Sequence, residues 1–183
     1  MLRWPKEGRR FFSILCKFLV FPVLSLLAPL AFAQFEAVTE TELKAAFIYN
    51  FAKFAEWPQK PAALNLCVFE NDALASTLEK LDGKTLGTQR LQFVMIESSE
   101  RIGDCHILFL GEAQRENLPR ILNSLRTKPT LTVSDAAGFI EKGVMIEMSL
   151  NQAHIEFEIN AQSASRSGLE ISGKLLRLAK RVY

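Results

Sequence analysis

The stretch Lys44-Ala45-Ala46-Phe47-Ile48-Tyr49-Asn50-Phe51-Ala52-Lys53-Phe54-Ala55-Glu56-Trp57-Pro58 decides how this chain is read. Leu43, Phe47, Phe51 and Phe54 recur at spacings of four, four and three, the one-face repeat of an amphipathic helix buried along one side. Thr39, followed three residues later by Glu42, fits a capping box that would satisfy the first orphan amides. Pro58 lacks an amide hydrogen and restricts Trp57 away from helical dihedrals, so the run is expected to stop there. An aromatic helix of this kind is an anchor for a core, not a catalytic motif.

Working outward, the first 33 residues read as a secretory signal peptide. Arg3, Lys6, Arg9, Arg10 and Lys17 form a basic leader, Phe18 to Leu30 an apolar stretch, and Ala31-Phe32-Ala33 a small-x-small cleavage pattern before Gln34. A retained membrane anchor is the alternative, but the apolar run is short against the roughly 20 residues a bilayer needs and holds Pro22 and Pro29. Residues 34–183 are then expected to form a single domain with no stable membrane span. Past residue 33 there are 17 Lys and Arg against 19 Asp and Glu, a net charge of −2. The basic excess of the whole chain belongs to the leader, which leaves nucleic-acid binding without electrostatic support.

Cys16 falls in the leader, leaving Cys67 and Cys105. An even pair in an exported protein is read first as a disulfide, because the periplasm is oxidising; two free buried thiols are the alternative. The histidines, His106 and His154, have no ligand company at metal-site spacing. Asp104-Cys105-His106 looks like a chemical triplet, yet neighbouring strand residues point to opposite faces. No G-x-G-x-x-G or Walker pattern follows a strand. No metal, cofactor or catalytic residue is therefore expected.

After the first helix, strand-like and helix-like segments alternate: Leu64–Phe69, a helix over Asp72–Leu81, strands Leu91–Ile96 and Cys105–Leu110, a helix over Ala113–Arg126, and a strand Thr130–Val133. Asp135 is expected to cap a brief helix over Ala136–Glu141, ended by Gly143. Val144–Met148 and Ala153–Ile159 alternate as an antiparallel hairpin around Asn151-Gln152. The expected fold is α/β, a three-layer sandwich with a six-stranded, mostly parallel sheet, a C-terminal antiparallel hairpin and flanking helices. Residues 161–182 admit a continuous helix or one broken near Gly168, with Ser172 capping a second helix through Lys180. The broken form is preferred, because Gly168 and Gly173 would each cost about 1 kcal/mol inside a helix. Arg177, Lys180 and Arg181 would form its exposed side.

Six segments in order, KAAFIYNFAKFAEWP (44–58), LNLCVF (64–69), CHILFL (105–110), SDAAGFIEKGVMIEM (134–148), IEFEIN (155–160) and SGLEISGKLLRLAKRV (167–182), resemble the YfiR-like family of periplasmic proteins. The resemblance implies a six-stranded periplasmic domain, often dimeric and without catalytic activity. It implies a disulfide between Cys67 and Cys105; the second pair that some members carry is absent here. It further implies a repressor that binds the periplasmic sensor region of an inner-membrane diguanylate cyclase, lowers cyclic-di-GMP signalling and biofilm formation, and is itself sequestered by an outer-membrane lipoprotein. Related domains fused to histidine kinases make a sensor kinase the other partner class, and a small-molecule sensor or transport accessory the rival function. The motif positions nominated for contact are Asn50, Phe51, Phe54, Glu56, Trp57 and Pro58 early in the chain, and Phe157, Asn160, Leu169, Ser172, Leu175 and Leu176 late in it. From the residues alone, Asn50 pairs with nearby backbone and Trp57 either closes the core or borders a recognition surface.

Overall fold

The computed structural model describes residues 38–152 and 154–183. The expected signal peptide and its cleavage site lie outside the described residues. Helix α1 spans Glu40–Lys53 and starts as the sequence dictates: Thr39 Oγ1 accepts from the Glu42 amide at 3.2 Å, and Glu42 Oε2 accepts from the Thr39 amide at 3.0 Å. Its buried face is Ala45, Ile48, Phe51 and Ala52, with Phe47 and Phe54 half-buried along the edge. The expected stripe is thus rotated: two alanines let the helix approach the sheet, Phe51 fills the buried face beside them, and Leu43 and Phe47 move to its flank. The helix also ends earlier than Pro58 requires. Phe54 closes it through bonds to the carbonyls of Asn50 and Phe51, both 3.1 Å, and Ala55–Glu56 leaves as the short strand β1.

The principal sheet runs β10-β8-β7-β6-β5-β2-β4-β3. Its six longer strands are β2 (Ala63–Phe69), β4 (Gln89–Ile96), β5 (Ile107–Leu110), β6 (Leu131–Ser134), β7 (Ile146–Asn151) and β8 (His154–Ile159), the number expected. Two-residue edge strands extend it, β3 (Thr85–Leu86) and β10 (Arg181–Val182). From β4 through β7 all neighbours are parallel, and β7–β8 is the expected antiparallel hairpin, in register from Ile146↔Ile159 to Asn151↔His154. Gln152, at φ +47°, turns it.

Helices cover both faces, which is why the central strands read as unbroken apolar runs. On one face Leu64, Leu66 and Val68 of β2, Ile107 and Phe109 of β5 and Phe157 of β8 join α1 and α2 (Ala75–Glu79) in a single core. On the other, Cys67, Leu108 and Leu110 meet a 3-10 turn at Ser99–Asp104 and helix α3 (Leu118–Ser124). The longer helices expected at 72–81 and 113–126 are shortened to these cores by turns at both ends. Because the order is β4-β2-β5-β6, the connections leaving β2 and β5 depart to opposite faces, a topological switch point.

Two expectations fail locally. No helix forms over Ala136–Glu141: Gly138 takes φ +81°, and Glu147 of β7 accepts from the amides of Gly138 and Ile140 at 3.2 and 2.7 Å, holding a chain of turns instead. Asp135 does not cap; Ser134 Oγ accepts from the Ala136 amide at 2.9 Å in its place. The C-terminal segment is broken as preferred. Helix α4 (Ala161–Arg166) ends at Gly168, φ +81°; β9 (Glu170–Ile171) pairs antiparallel with β1; and Ser172 caps α5 (Gly173–Leu176). The second helix stops at Leu176, not Lys180. Lys180 and Arg181 therefore leave the helix for the sheet edge, where Lys180 meets Glu156 at 2.6 Å and Tyr183 Oη donates to Glu158 at 2.7 Å.

Candidate functional site

The nominated positions from the two ends of the sequence come together at the exit of α1. Phe51 is 1% exposed and meets Phe157 with ring centroids 5.0 Å apart and planes tilted by 60°, while Phe47 meets Phe157 edge-on at 6.2 Å. The β1–β9 pair continues this junction: Ala55 lies opposite Ile171, Glu56 opposite Glu170, and the Ser172 amide donates to the Phe54 carbonyl at 2.9 Å. Trp57, Leu169 and Leu175 are buried beneath the pair, and Leu176 is half-buried beside it. Asn50 Nδ2 donates to the Ala46 carbonyl at 2.9 Å. Asn160 Oδ1 accepts from the Ser163 amide at 2.8 Å, starting α4. Of the nominated set, Asn50, Glu56 and Pro58 are exposed and available for contact; Phe51, Trp57, Phe157, Leu169 and Leu175 hold the surface from below.

Cys67 and Cys105 form a disulfide with Cα atoms 5.7 Å apart, tying β2 to the residue just ahead of β5. His106 follows at once. Its Nδ1 accepts from the Asn65 amide at 3.1 Å, and burial holds its pKa below the usual histidine range. That imidazole completes the β2–β5 ladder where β5 begins; it faces no nucleophile, since the neighbouring sulfur is bridged. His154 is exposed at the start of β8. Among the described residues no cluster of three His, Cys, Asp or Glu side chains is placed to hold a metal ion.

The strand ends at the switch point gather a charged group that local sequence does not announce. Lys44 of α1 bonds Asp135, after β6, at 2.8 Å and Glu40 at 2.7 Å. Burial works against the ammonium, yet these two carboxylates more than offset it and its pKa is raised. Asp72, after β2, accepts from the Leu74 amide at 2.9 Å and from the Gly111 amide. Burial pushes its carboxyl pKa upward, those amides oppose the shift, and nearby Asp135 adds to it. A Cβ at Gly111, the residue after β5, would overlap the Asp72 carboxylate, so a side chain there would displace it. Beside this cluster lies a crevice of about 480 Å³ over the C-terminal ends of β2, β4 and β5, lined by Glu70, Asn71, Glu97, Gln114, Asn117 and Arg120.

A family model described as YfiR/HmsC-like matches residues 41–180, the whole of this architecture from α1 to the start of β10. The chain belongs to the YfiR/HmsC-like family. Among solved structures it resembles a conserved domain protein of Vibrio cholerae O1 biovar El Tor (TM-score 0.53, 11% identity, 79% of this chain covered). It also resembles an ABC domain solved in complex with L-Trp from Streptococcus pneumoniae (TM-score 0.53, 10% identity, 78% covered). This chain spans 60% and 62% of the length of those two. At such identities the likeness is one of fold.

Within this YfiR/HmsC-like domain, sequence reasoning found the disulfide but missed the Lys44–Asp135 pair. Lys44 and Asp135 stand 91 residues apart. Each has an adequate local account, as a helix-surface lysine and a helix cap, and nothing in either neighbourhood signals the other. Among the described residues no helix is long and apolar enough to cross a membrane.

Proposed function

We propose that this chain is a non-enzymatic periplasmic signalling protein that binds the periplasmic sensor region of an inner-membrane diguanylate cyclase and keeps the cyclase inactive, lowering cyclic-di-GMP. The observation that carries the reading is membership of the YfiR/HmsC-like family across residues 41–180. The chemistry agrees with it. The disulfide removes both thiols of the described residues from nucleophilic work, and His106 is committed to a backbone amide. The contact surface is the β1–β9 pair with the exit of α1, where exposed Glu56, Pro58, Glu170 and Asn50 stand on a buried aromatic base. Repression requires tighter binding to the inactive than to the active cyclase, since equal affinity shifts nothing. A homodimer and sequestration by an outer-membrane lipoprotein belong to the same proposal.

Deleting the gene should raise cellular cyclic-di-GMP, and the wild-type chain should restore it. Glu56→Arg with Glu170→Arg, both exposed, should fail to restore it while melting like wild type. Unchanged cyclic-di-GMP in the deletion strain would count against the cyclase as partner. A second reading, a small-molecule sensor acting on a histidine kinase or transport system, draws support from the polar crevice at the switch point, where such folds hold ligands. A metabolite that raises the melting temperature of the wild-type chain but not of Arg120→Gln would favour it.

A further inference from the structure

A second, larger groove lies away from both the β1–β9 pair and the switch point. It has a volume of about 960 Å³ and opens between α3 and α4, over the start of β6 and the residues leading into β7. That is the size range of ligand pockets, roughly 300–1,000 Å³. Leu122 and Leu125 form one wall, Ser163 and Ser167 the other, and Met145 the floor, with buried Thr132. Thr132 Oγ1 accepts from the Met145 amide at 3.0 Å, which fixes this hydroxyl in the floor with its O–H still free to donate.

Gly143 keeps the passage between the walls open. It sits at φ +110°, which favours glycine, and a Cβ there would stand 3.8 Å from Leu122 Cδ1 and 3.9 Å from Ser163 Oγ, touching both walls. The rim is of one sign. Arg126, Lys142 and Arg166 line the groove and no Asp or Glu does. Among the described residues none of the three is in an ion pair. Arg166 Nη2 donates to Ser163 Oγ at 3.0 Å, which draws its guanidinium in toward the wall. Lys142 also sits 5.9 Å from the Phe139 ring centroid and acts on the Glu112 carboxylate; even so, three cations on one groove stand out where residues 34–183 are net acidic.

We propose that this groove binds a single-chain anionic amphiphile, a carboxylate or phosphate head on an apolar tail, with the head on Arg126, Lys142 and Arg166 and the tail along Leu122, Leu125 and Met145. The head gains from charge-assisted bonds that a neutral molecule would not make, and the tail gains from leaving water. Neither part alone accounts for the site: free phosphate would leave the trough wet, and an alcohol would leave the cations unmatched. The inference is independent of the cyclase reading, because none of these residues belongs to the β1–β9 surface.

The test titrates decanoate and decyl phosphate, as dispersed monomers, into the purified protein by calorimetry, with acetate, inorganic phosphate and decanol as partial probes. One amphiphile or both should bind saturably at one per chain, at least about tenfold more tightly than any partial probe. The variant R126E/K142E/R166E should lose at least about tenfold in affinity while keeping its melting temperature, since all three residues are exposed. R90E, an exposed change on β4 remote from the groove, should bind like wild type. Should the triple variant melt lower, the three single reversals, each weakening binding, carry the same test. No saturable binding, equal affinity for decanol or inorganic phosphate, or affinity untouched by the reversals would each overturn the proposal.

Discussion

Replacing both bridged cysteines by alanine tests what holds the parallel half of the sheet. The bond joins β2 to Cys105, two residues ahead of the neighbouring strand β5, across 38 residues that include α2, β3, β4 and the 3-10 turn. In the chain-entropy model, closing a loop of that length is worth about 4 kcal/mol at 25 °C. The half-cystines are 1% and 5% exposed, so truncating them adds up to about 1 kcal/mol for the space left behind. The expected loss is therefore about 4–5 kcal/mol, a large part of a typical 5–15. Urea unfolding of oxidised wild type, C67A/C105A and wild type in reductant separates the contributions. If the crosslink acts on the unfolded chain, both unbridged forms should lose stability together. Their m-values should also rise, because a released chain exposes more surface when unfolded. Reduced wild type losing less than about 1 kcal/mol, with m unchanged, would refute the argument; the β2–β5 ladder would then be held by its hydrogen bonds and core alone.

Phe51→Ala should cost about 3–5 kcal/mol, because it empties the centre of the Phe47–Phe51–Phe157 group; a fall below about 2 in urea titration would mean that α1 slides to refill the space. Trp57→Phe should stay within about 1 kcal/mol of wild type, since the lost volume is offset by removing a buried indole N–H that has no hydrogen-bond partner among the described residues; Trp57→Ala should cost several times more by the same titration. Asp72→Asn should gain on wild type as pH rises. The folded pKa of Asp72 lies above its ordinary value of 3.8, so the folded state holds the extra proton, and its contribution is greatest below that value and lost as pH climbs through the raised one. Comparing unfolding free energies at about pH 4 and about pH 7 checks this, and a difference between the two proteins that is flat or falls with pH contradicts it.

Much of the fold was legible because local and tertiary demands coincide. Thr39 and Glu42 cap α1 whatever lies beneath it, Leu64–Phe69 is apolar at every position but Asn65 and must sit between layers, and Gly168 adopts a positive φ that ends α4. Illegible features are those where a distant residue overrides a local preference. Ala136–Glu141 has helical composition, but Glu147, reaching back from β7, takes the amides of Gly138 and Ile140 into a different arrangement. β10 is two residues long and exists because Phe157 and Ile159 offer carbonyls to Lys180 and Tyr183 at 2.8 and 2.9 Å. The amphipathic period of α1 fixed that one side would be buried. The small size of Ala45 and Ala52 selected which side, a packing matter that spacing does not express.

The placement of the disulfide bears on how oxidation would reach the proposed partner surface. Cys67 lies in the core that β2 and β5 share with α3, on the sheet face away from α1. Phe51, Trp57 and Leu175, which carry the β1–β9 pair, belong to the core on the α1 face. That pair is fixed by its own means: the β1–β9 ladder, the Ser172–Phe54 backbone bond and the Ser172 cap on α5. None of these passes through a cysteine. Breaking the bridge should thus act through the folded fraction, by the few kcal/mol worked out above, and leave the contact residues of each folded molecule where they are. Under conditions where the reduced chain remains folded, it should engage its partner as tightly as the oxidised chain. A redox response of the kind the bridge invites would then appear as faster loss of protein in a reducing environment, and not as a graded change in affinity.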